Sequence, residues 1–531
     1  MSDDKDKRDE SSEKSEAPAA SEKSEKSEKS EKSEKSEKSS EAKPKKAAAK
    51  KESKKDPADA YRLAPGSPWA NMWKTFAGLG LLGVGGSAAA YFSDPRRFAY
   101  AWLFGFIVAL TIAIGAMMFI LMHHLTAGSW GIVVRRLAEF FGAGTPAFVV
   151  LAIPIVLMMN TLFGEWLGTR APEHAGTKAE HAAIVPDQAQ DEPQELAAND
   201  LQMQQPRRAN PFAGDPHGFS HGRSDAPSGA TGRPTVNVRR PEAERDRALV
   251  VEHTEVMAAK KWYLNKNFFY ARLVGYLLFW LWLGPALLRI SSDQDKSKDP
   301  AISVRLNRMS APGLIGLAFT LTFAAFDWIM SLDPTWYSTI FGVTFFAGSM
   351  MCIFAVLILT LLAMRNDGVL AKEVNVEHYH DLGKLLFGFM CFWAYVCFSQ
   401  FMLIWYAAIP EEVTFYHARW DIGPWRNVSL ALVVLHFCVP FVFIMSRNVK
   451  RNLGMLRIGT VTLLVMHVID IYWLIMPAMK LPDFSPSWID AVGLIGPVGI
   501  YLAVVFYTMT KYPILPVGDP RLPRSLKFEN A

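Results

Sequence analysis

The chain predicts an all-α integral membrane protein of about ten transmembrane helices behind a disordered polar tail. Three observations point there. Of the 531 residues, 50% are hydrophobic and 12% aromatic, too many and too apolar for one ordinary soluble domain. The apolar residues gather in ten runs, each near the ~20 residues that a bilayer core demands. Polar residues are segregated from them, filling nearly all of 1–60 and most of 164–265.

In chain order, residues 1–64 form the tail. The triplet SEK repeats six times in succession from Ser21 to Lys38; such a polyampholyte has no apolar surface to bury and stays disordered. The basic run Lys43–Lys55 suits anionic lipid headgroups. Residues 65–163 hold three spans, near 73–92, 98–122 and 143–163, the third with an amphipathic, interfacial lead-in at Gly131–Phe141. Residues 164–265 are rich in Pro, Gly, Gln and Asp without helical period, and read as a long extramembrane insertion over an external partner. Residues 266–511 hold seven more spans, near 268–290, 311–332, 337–363, 384–408, 427–446, 457–478 and 488–510. A short tail, 512–531, closes the chain. Pro154, Pro285, Pro440 and Pro497 fall inside spans, where neighbouring helices tolerate a lost backbone hydrogen bond.

Charge placement sets the expected orientation. The net charge of +5 is small, and Lys and Arg cluster beside spans, a membrane-topology pattern rather than a nucleic-acid surface. With the amino terminus inside, cytoplasmic connections hold Arg135 and Arg136, then Arg289 to Arg308, Arg365 to Lys384, and Arg447 to Arg457. The opposite connections hold only Arg96, Arg97, Arg419, Arg426 and Lys480. Both termini are therefore expected in the cytoplasm, with no cleavable leader, because Met1 opens a polar stretch.

Redox chemistry is narrowed by the cysteines. Cys352, Cys391, Cys397 and Cys438 all lie in apolar runs, with no CxxC and no CxxCH. Covalent c-type haem is excluded, a cysteine-held iron–sulfur cluster has no ligand pattern, and the thiols read as small buried hydrophobes.

What remains is a set of polar groups inside the membrane, where a carboxylate costs about 2.5–3.5 kcal/mol on insertion scales and calls for a partner, a proton or a water-filled cavity. Depth along each helix places Asp327 toward the outer third of span five, with Asp333 at its mouth. Gln400 lies slightly outside the middle of span seven, and His436, His467 and Asp470 near the centre of spans eight and nine. His123, His124 and Glu139 lie toward the cytoplasmic side. Ordered by depth, Asp327, Gln400, His436, His467, Asp470, Glu139 and His123 form a candidate proton path. His467 and Asp470, three residues apart, share a helical face and suit proton exchange; an interhelical packing pair is the competing reading, and packing is preferred for His436 alone. His436 and His467 together also suggest b-type haem ligands, against which stands the lack of a second such pair.

Aromatic residues gather near Asp327 and Gln400. Asp327, Trp328, Tyr395 and Trp405 form a candidate quinol-contacting set, since a quinone head needs a flat apolar slot and one or two hydrogen-bond partners. Trp336, Tyr337 and Tyr406 fit an interfacial aromatic belt better. Glu411 and Glu412 read as solvated helix-end caps. His378, Tyr379 and His380 with Glu377 and Asp381 do not match a zinc spacing; a proton-collecting mouth or a solvated helix start is expected, and no metal site.

The strings FDWIMSLDPTWYSTIFGVTFFAGSMM (326–351) and HYHDLGKLLFGFMCFWAYVCFSQFMLIWYAAIPEE (378–412) resemble the second large membrane subunit of bacterial alternative complex III, in the polysulfide-reductase membrane-anchor (NrfD-like) family. The likeness extends over roughly 65–163 and 266–515. It implies two four-helix bundles flanked by a helix pair, in the bacterial inner membrane. It also implies a place in a quinol:cytochrome c, or quinol:electron-acceptor, oxidoreductase whose haems and iron–sulfur clusters reside in multihaem cytochrome c and iron–sulfur partner subunits. A sister NrfD-like subunit would be the principal binder of menaquinol or ubiquinol, and a terminal oxidase is a further possible partner. For this chain the resemblance implies scaffolding and proton translocation ahead of quinol oxidation, with no redox centre of its own. The alternative from another class is a secondary transporter or ion-coupled permease, which broken helices and inverted repeats would favour.

Overall fold

A computed structural model describes residues 57–169, 255–407, 410–420, 423–480 and 485–529. The tail to residue 56, the insertion from 170 to 254, and the side chains of Glu411 and Glu412 lie outside the described residues. Contacts divide the chain into Met1–Lys54 and Lys55–Ala531, and only the second unit is described below.

Every element among the described residues is a helix or a turn. Ten helices are long and apolar enough to cross a membrane: α1 Pro68–Ser93, α2 Pro95–Leu125, α3 Ile132–Leu157, α4 Lys266–Ser297, α5 Pro300–Leu332, α6 Phe341–Asn366, α7 Val376–Ala407, α8 Gly423–Met445, α9 Leu453–Met479 and α10 Trp488–Met509. Their starts follow recognisable signals. Ser67, Asp94, Asn265, Asp299, Asn452 and Ser487 each accept a first-turn N–H, and Pro follows the cap of α1, α2 and α5. The spans overrun the apolar runs that predict them, because Arg305, Asn307 and Arg308 continue α5 and Glu377–Lys384 continue α7 as helix.

Helix pairing gives two four-membered rings. α2, α3, α4 and α5 close one bundle, α6, α7, α8 and α9 the other, and α1 pairs with α10 against α2. α2 also touches α6 and α9, so it forms the seam between bundles; its apolar window is wholly buried. Lipid gives helices no hydrophobic reason to associate, so close backbone approach through small residues takes over. A Cβ on Gly83 would lie 2.3 Å from Gly496 Cα, and one on Gly105 only 2.0 Å from the Gly493 carbonyl oxygen. Gly83→Val is therefore expected to pry α1 from α10 and cost about 1–3 kcal/mol, lowering the melting temperature. Gly85→Val, two residues on with nothing within 4 Å, is the control expected to melt unchanged.

α8 is irregular where it matters. Residues Leu432–Cys438 are π-helical. Pro440 has no N–H to give the carbonyl of His436 four residues back, so the bonding register slips outward there. His436 is turned fully into the bundle by this segment.

The lead-in Gly131–Phe141 presents no exposed face. Every residue in it is buried, including Arg135, Arg136 and Glu139. The reason is charge neutralisation from distant sequence. Arg135 binds Glu139 at 2.9 Å and Asp519 at 2.8 Å, while Arg136 binds Glu139 at 3.1 Å and Asp295 at 2.7 Å. The carboxyl-terminal segment is folded down onto this network. Arg521 pairs with Asp519 at 3.0 Å, the Gly518 N–H donates to Asp295, and Ser525 Oγ donates to the Trp130 carbonyl. The flanks of the span set meet at the same end, where Ile514 N–H donates to the Tyr61 carbonyl.

Candidate functional site

The polar groups that the fold brings together lie in the second bundle and its seam with α2. His467 Nε2 is 3.1 Å from Thr111 Oγ1 on α2, while its Nδ1 has no hydrogen-bond partner among the described residues. Gly348 on α6 makes room for the ring, since a Cβ there would stand 3.2 Å from His467 Cε1. Asp470, one turn along the same face of α9, is faced by the Trp393 indole of α7. Trp393 also meets His436, ring centroids 4.0 Å apart, and neither His436 nitrogen has a hydrogen-bond partner among the described residues. His467 and Asp470 thus share a face as their spacing predicts, without a direct hydrogen bond to one another.

Two larger cavities approach this group from opposite ends. One, of about 600 Å³, lies between α7, α8 and α9, with Asp470 and Gln400 in its wall. Gln400 accepts from Ser338 Oγ and donates to Tyr416 Oη, both at 3.0 Å. A small void of about 10 Å³ continues from Asp470 to His467. The other, of about 460 Å³, lies at the end shared by the chain flanks and is lined by His123, Thr126, Asp381 and Lys384. Neither His123 nitrogen has a hydrogen-bond partner among the described residues. Its inner wall is Phe119, Met350 and Phe354, which stand between His123 and the level of Thr111 and Gly348 on α2 and α6. Acids, imidazoles and hydroxyls placed this way can bind and pass protons at mid-membrane, with an apolar plug on one side.

The remaining predicted residues fall elsewhere. Asp327 is held in the first bundle by a bidentate pair with Arg272, both bonds 2.8 Å, and by Tyr276 Oη at 2.8 Å. Arg272 also stacks on Tyr263, 3.9 Å from its centroid. Trp328 is fully buried beside Phe106, Tyr276 and Trp280. Tyr395 and Trp405 instead point outward from α7, so the four candidate quinol contacts do not share a pocket. Glu139 is engaged by two arginines in the buried network described above. Trp336 leaves the expected aromatic belt, because it is buried and stacked on Phe415 at 4.0 Å; Tyr337 and Tyr406 are exposed.

The start of α7 is packed rather than solvated. His378 Nδ1 accepts the Asn375 N–H and Nε2 lies 3.1 Å from the Ser525 carbonyl, which pins the carboxyl-terminal segment. Glu377 binds Arg451, and Asp381 binds Lys384 at 2.6 Å. No group of three or more His, Cys, Asp or Glu side chains among the described residues could hold a metal. Of the two histidines weighed as haem ligands, His436 lies against Trp393, and His467 against Gly348 beside a void of about 10 Å³.

Sequence reasoning missed the partners more than the groups. Arg272 is a lone cation inside an apolar run, a signal that an intramembrane carboxylate must answer it. Arg419 offered less warning. On the short helix Pro410–Trp420 it donates to the Trp473 and Leu474 carbonyls at 3.1 and 3.0 Å, closing the end of α9. Burial pulls its pKa down to about 9, which leaves it cationic near neutrality. Asp333, just past the end of α5, accepts from Thr335 Oγ1 at 2.7 Å.

No protein-family model matches the chain, and no curated protein matches it.

Proposed function

We propose that this chain is a membrane subunit of a quinol:electron-acceptor oxidoreductase of the alternative complex III type. It carries no redox centre of its own, scaffolds haem-bearing and iron–sulfur partners, and conducts protons through its second bundle. Both termini lie on the cytoplasmic side of the bacterial inner membrane, so the cavity at His123 is the inner mouth. The observation that carries the proton reading is the Thr111–His467–Asp470 group at mid-membrane, with a cavity toward either face. Two ionisable residues at that depth are expensive as packing alone, and the ring nitrogens of His436 and His123 and the Nδ1 of His467, unpartnered among the described residues, leave sites for water or a proton. Asp327 and Glu139 serve this reading as rigid ion pairs, outside the conducting group.

The test is Asp470→Asn in the intact complex, reconstituted in vesicles. Proton release per quinol oxidised is expected to fall at least tenfold while the melting temperature holds. Unchanged release reduces Asp470 to packing. Co-purification with haem-bearing subunits supports the respiratory assignment; a chain that purifies alone and moves a solute against an ion gradient supports the permease.

A further inference from the structure

The cavity of about 460 Å³ at the end shared by the chain flanks has two kinds of wall. Its inner part is apolar, formed by Phe119 and Met122 of α2, Met350 and Phe354 of α6, and Phe389 of α7. Its rim is polar, formed by His123, Thr126, Asp381 and Lys384. Helix length sets the depth of that rim. α7 has 32 residues, about 48 Å at ~1.5 Å each, and so overruns the ~30 Å hydrocarbon core. Lys384 stands about 12 Å from the start of α7, near the level where headgroups meet chains. It lies on the outward stripe of that helix, since Gly388, Tyr395 and Phe398, which follow it at helical spacing, are exposed as well.

From the cavity a train of rings runs deeper along α6 and α7. Phe354 meets Phe389 with centroids 5.7 Å apart, Phe389 meets Phe346 at 5.8 Å, and Phe346 meets Phe392 at 6.4 Å. Phe346, Phe389 and Phe392 are half-buried, so the track is accessible along its length.

The rim offers both donors and acceptors. His123 is 4% exposed, and neither of its ring nitrogens has a partner among the described residues. A neutral imidazole carries one N–H donor and one bare acceptor, and leaving both unbonded when buried is costly. Lys384 Nζ reaches Asp381 at 2.6 Å, which leaves it further N–H groups to donate. Thr126 Oγ1 spends its O–H on the Met122 and His123 carbonyls, so its lone pairs remain to accept. Lys384 and Asp381 cancel in charge, and a ligand with net charge would leave an uncompensated ion in a poorly hydrated cavity. Water would satisfy the rim but not the aromatic wall. A zwitterionic head on an apolar chain answers both, and an ethanolamine head brings N–H donors that a choline head lacks.

We propose that this cavity binds one glycerophospholipid with an ethanolamine head. Its phosphate is held by Lys384 and the His123 N–H, its ammonium by Asp381 and Thr126, and one acyl chain lies along Phe389, Phe346 and Phe392. The inference rests on the orientation given above only for naming the leaflet, the cytoplasmic one. It assigns the lipid no part in proton transfer.

The probes are phospholipids with a diazirine on one acyl chain and an ethanolamine, glycerol or choline head, each at the same mole fraction in nanodiscs holding the full chain. The ethanolamine lipid is expected to label peptides within 346–354 and 385–392 at least tenfold more than either of the others. Thr126→Trp, which fills the cavity from an exposed position, is expected to cut that labelling at least tenfold with the melting temperature unchanged. Asp381→Asn leaves Lys384 uncancelled and is expected to move the preference to the glycerol head, which is anionic. Equal labelling by all three heads, indifferent to Thr126→Trp, means annular lipid only and overturns the site. A preference for the glycerol or choline head in the unaltered chain overturns it too, as does a preference that Asp381→Asn does not move. Labelling is read without turnover, and nanodiscs present the same lipids on both faces. A chain that labels as expected but releases no protons therefore keeps this inference and loses the proton path.

Discussion

Replacing Arg272 with Met is expected to destabilise the protein by about 3–5 kcal/mol, because it strands Asp327 as an unpaired charge inside the first bundle. The pair is nearly closed to solvent, with side-chain exposures of 9% and 1%, so water cannot replace the lost partner. Tyr276 would still donate to Asp327, and a single hydroxyl does not neutralise a carboxylate. The double variant Arg272→Met/Asp327→Leu is expected to recover most of the loss, since removing both charges also removes both desolvation penalties. Thermal unfolding in nanodiscs checks the pair of results. A double variant as unstable as the single one would mean that Asp327 does more than anchor α5 to α4. Proton release in the double variant is expected to match the unaltered complex, because the group proposed to conduct lies in the other bundle.

Asp519→Asn is the second large effect, again about 3–5 kcal/mol. Three arginines, Arg135, Arg136 and Arg521, are offset by Glu139, Asp295 and Asp519, and the substitution leaves the network one positive charge in excess. Burial alone would raise the Asp519 pKa, but the hydrogen bond from Arg521 and the charge of Arg135 outweigh it and hold the carboxyl well below the ordinary value of 3.8. A group whose folded pKa is depressed gives stability that is complete above its unfolded pKa, about 3.9, and is lost as pH falls toward the folded value. The melting temperature of the unaltered chain is therefore expected to drop more steeply below about pH 4 than that of Asp519→Asn. The structural readout is local. The segment 512–529 should become the first target of added protease in the variant, because Ser525 and Asp519 hold it to Trp130 and Arg135. A variant that melts normally and resists cleavage there would show the segment to be held by its apolar contacts alone.

These two clusters show how far the residues speak for themselves. The ten spans were legible because a bilayer imposes a length and an apolarity that any window of sequence displays. His467 and Asp470 were legible as a pair because three residues along a helix fix a shared face. Gly131–Phe141 misled, because two arginines and a glutamate beside apolar residues look amphipathic until their counter-charges arrive from other helices. Trp336 misled for the same reason: its burial depends on Phe415, carried by a short helix in another connection.

The sequence alone determined which segments are long and apolar enough to cross the membrane, which residues within them can titrate, and that no CxxCH motif is present. Those properties follow from composition and from spacing within one helix. Only the tertiary structure decided which intramembrane charges are spent on each other and which remain available. Arg272 and Asp327 stand 55 residues apart, and Arg135 and Asp519 stand 384 apart. Neutralising a buried charge depends on distance in space, and helix packing, not sequence separation, sets that distance.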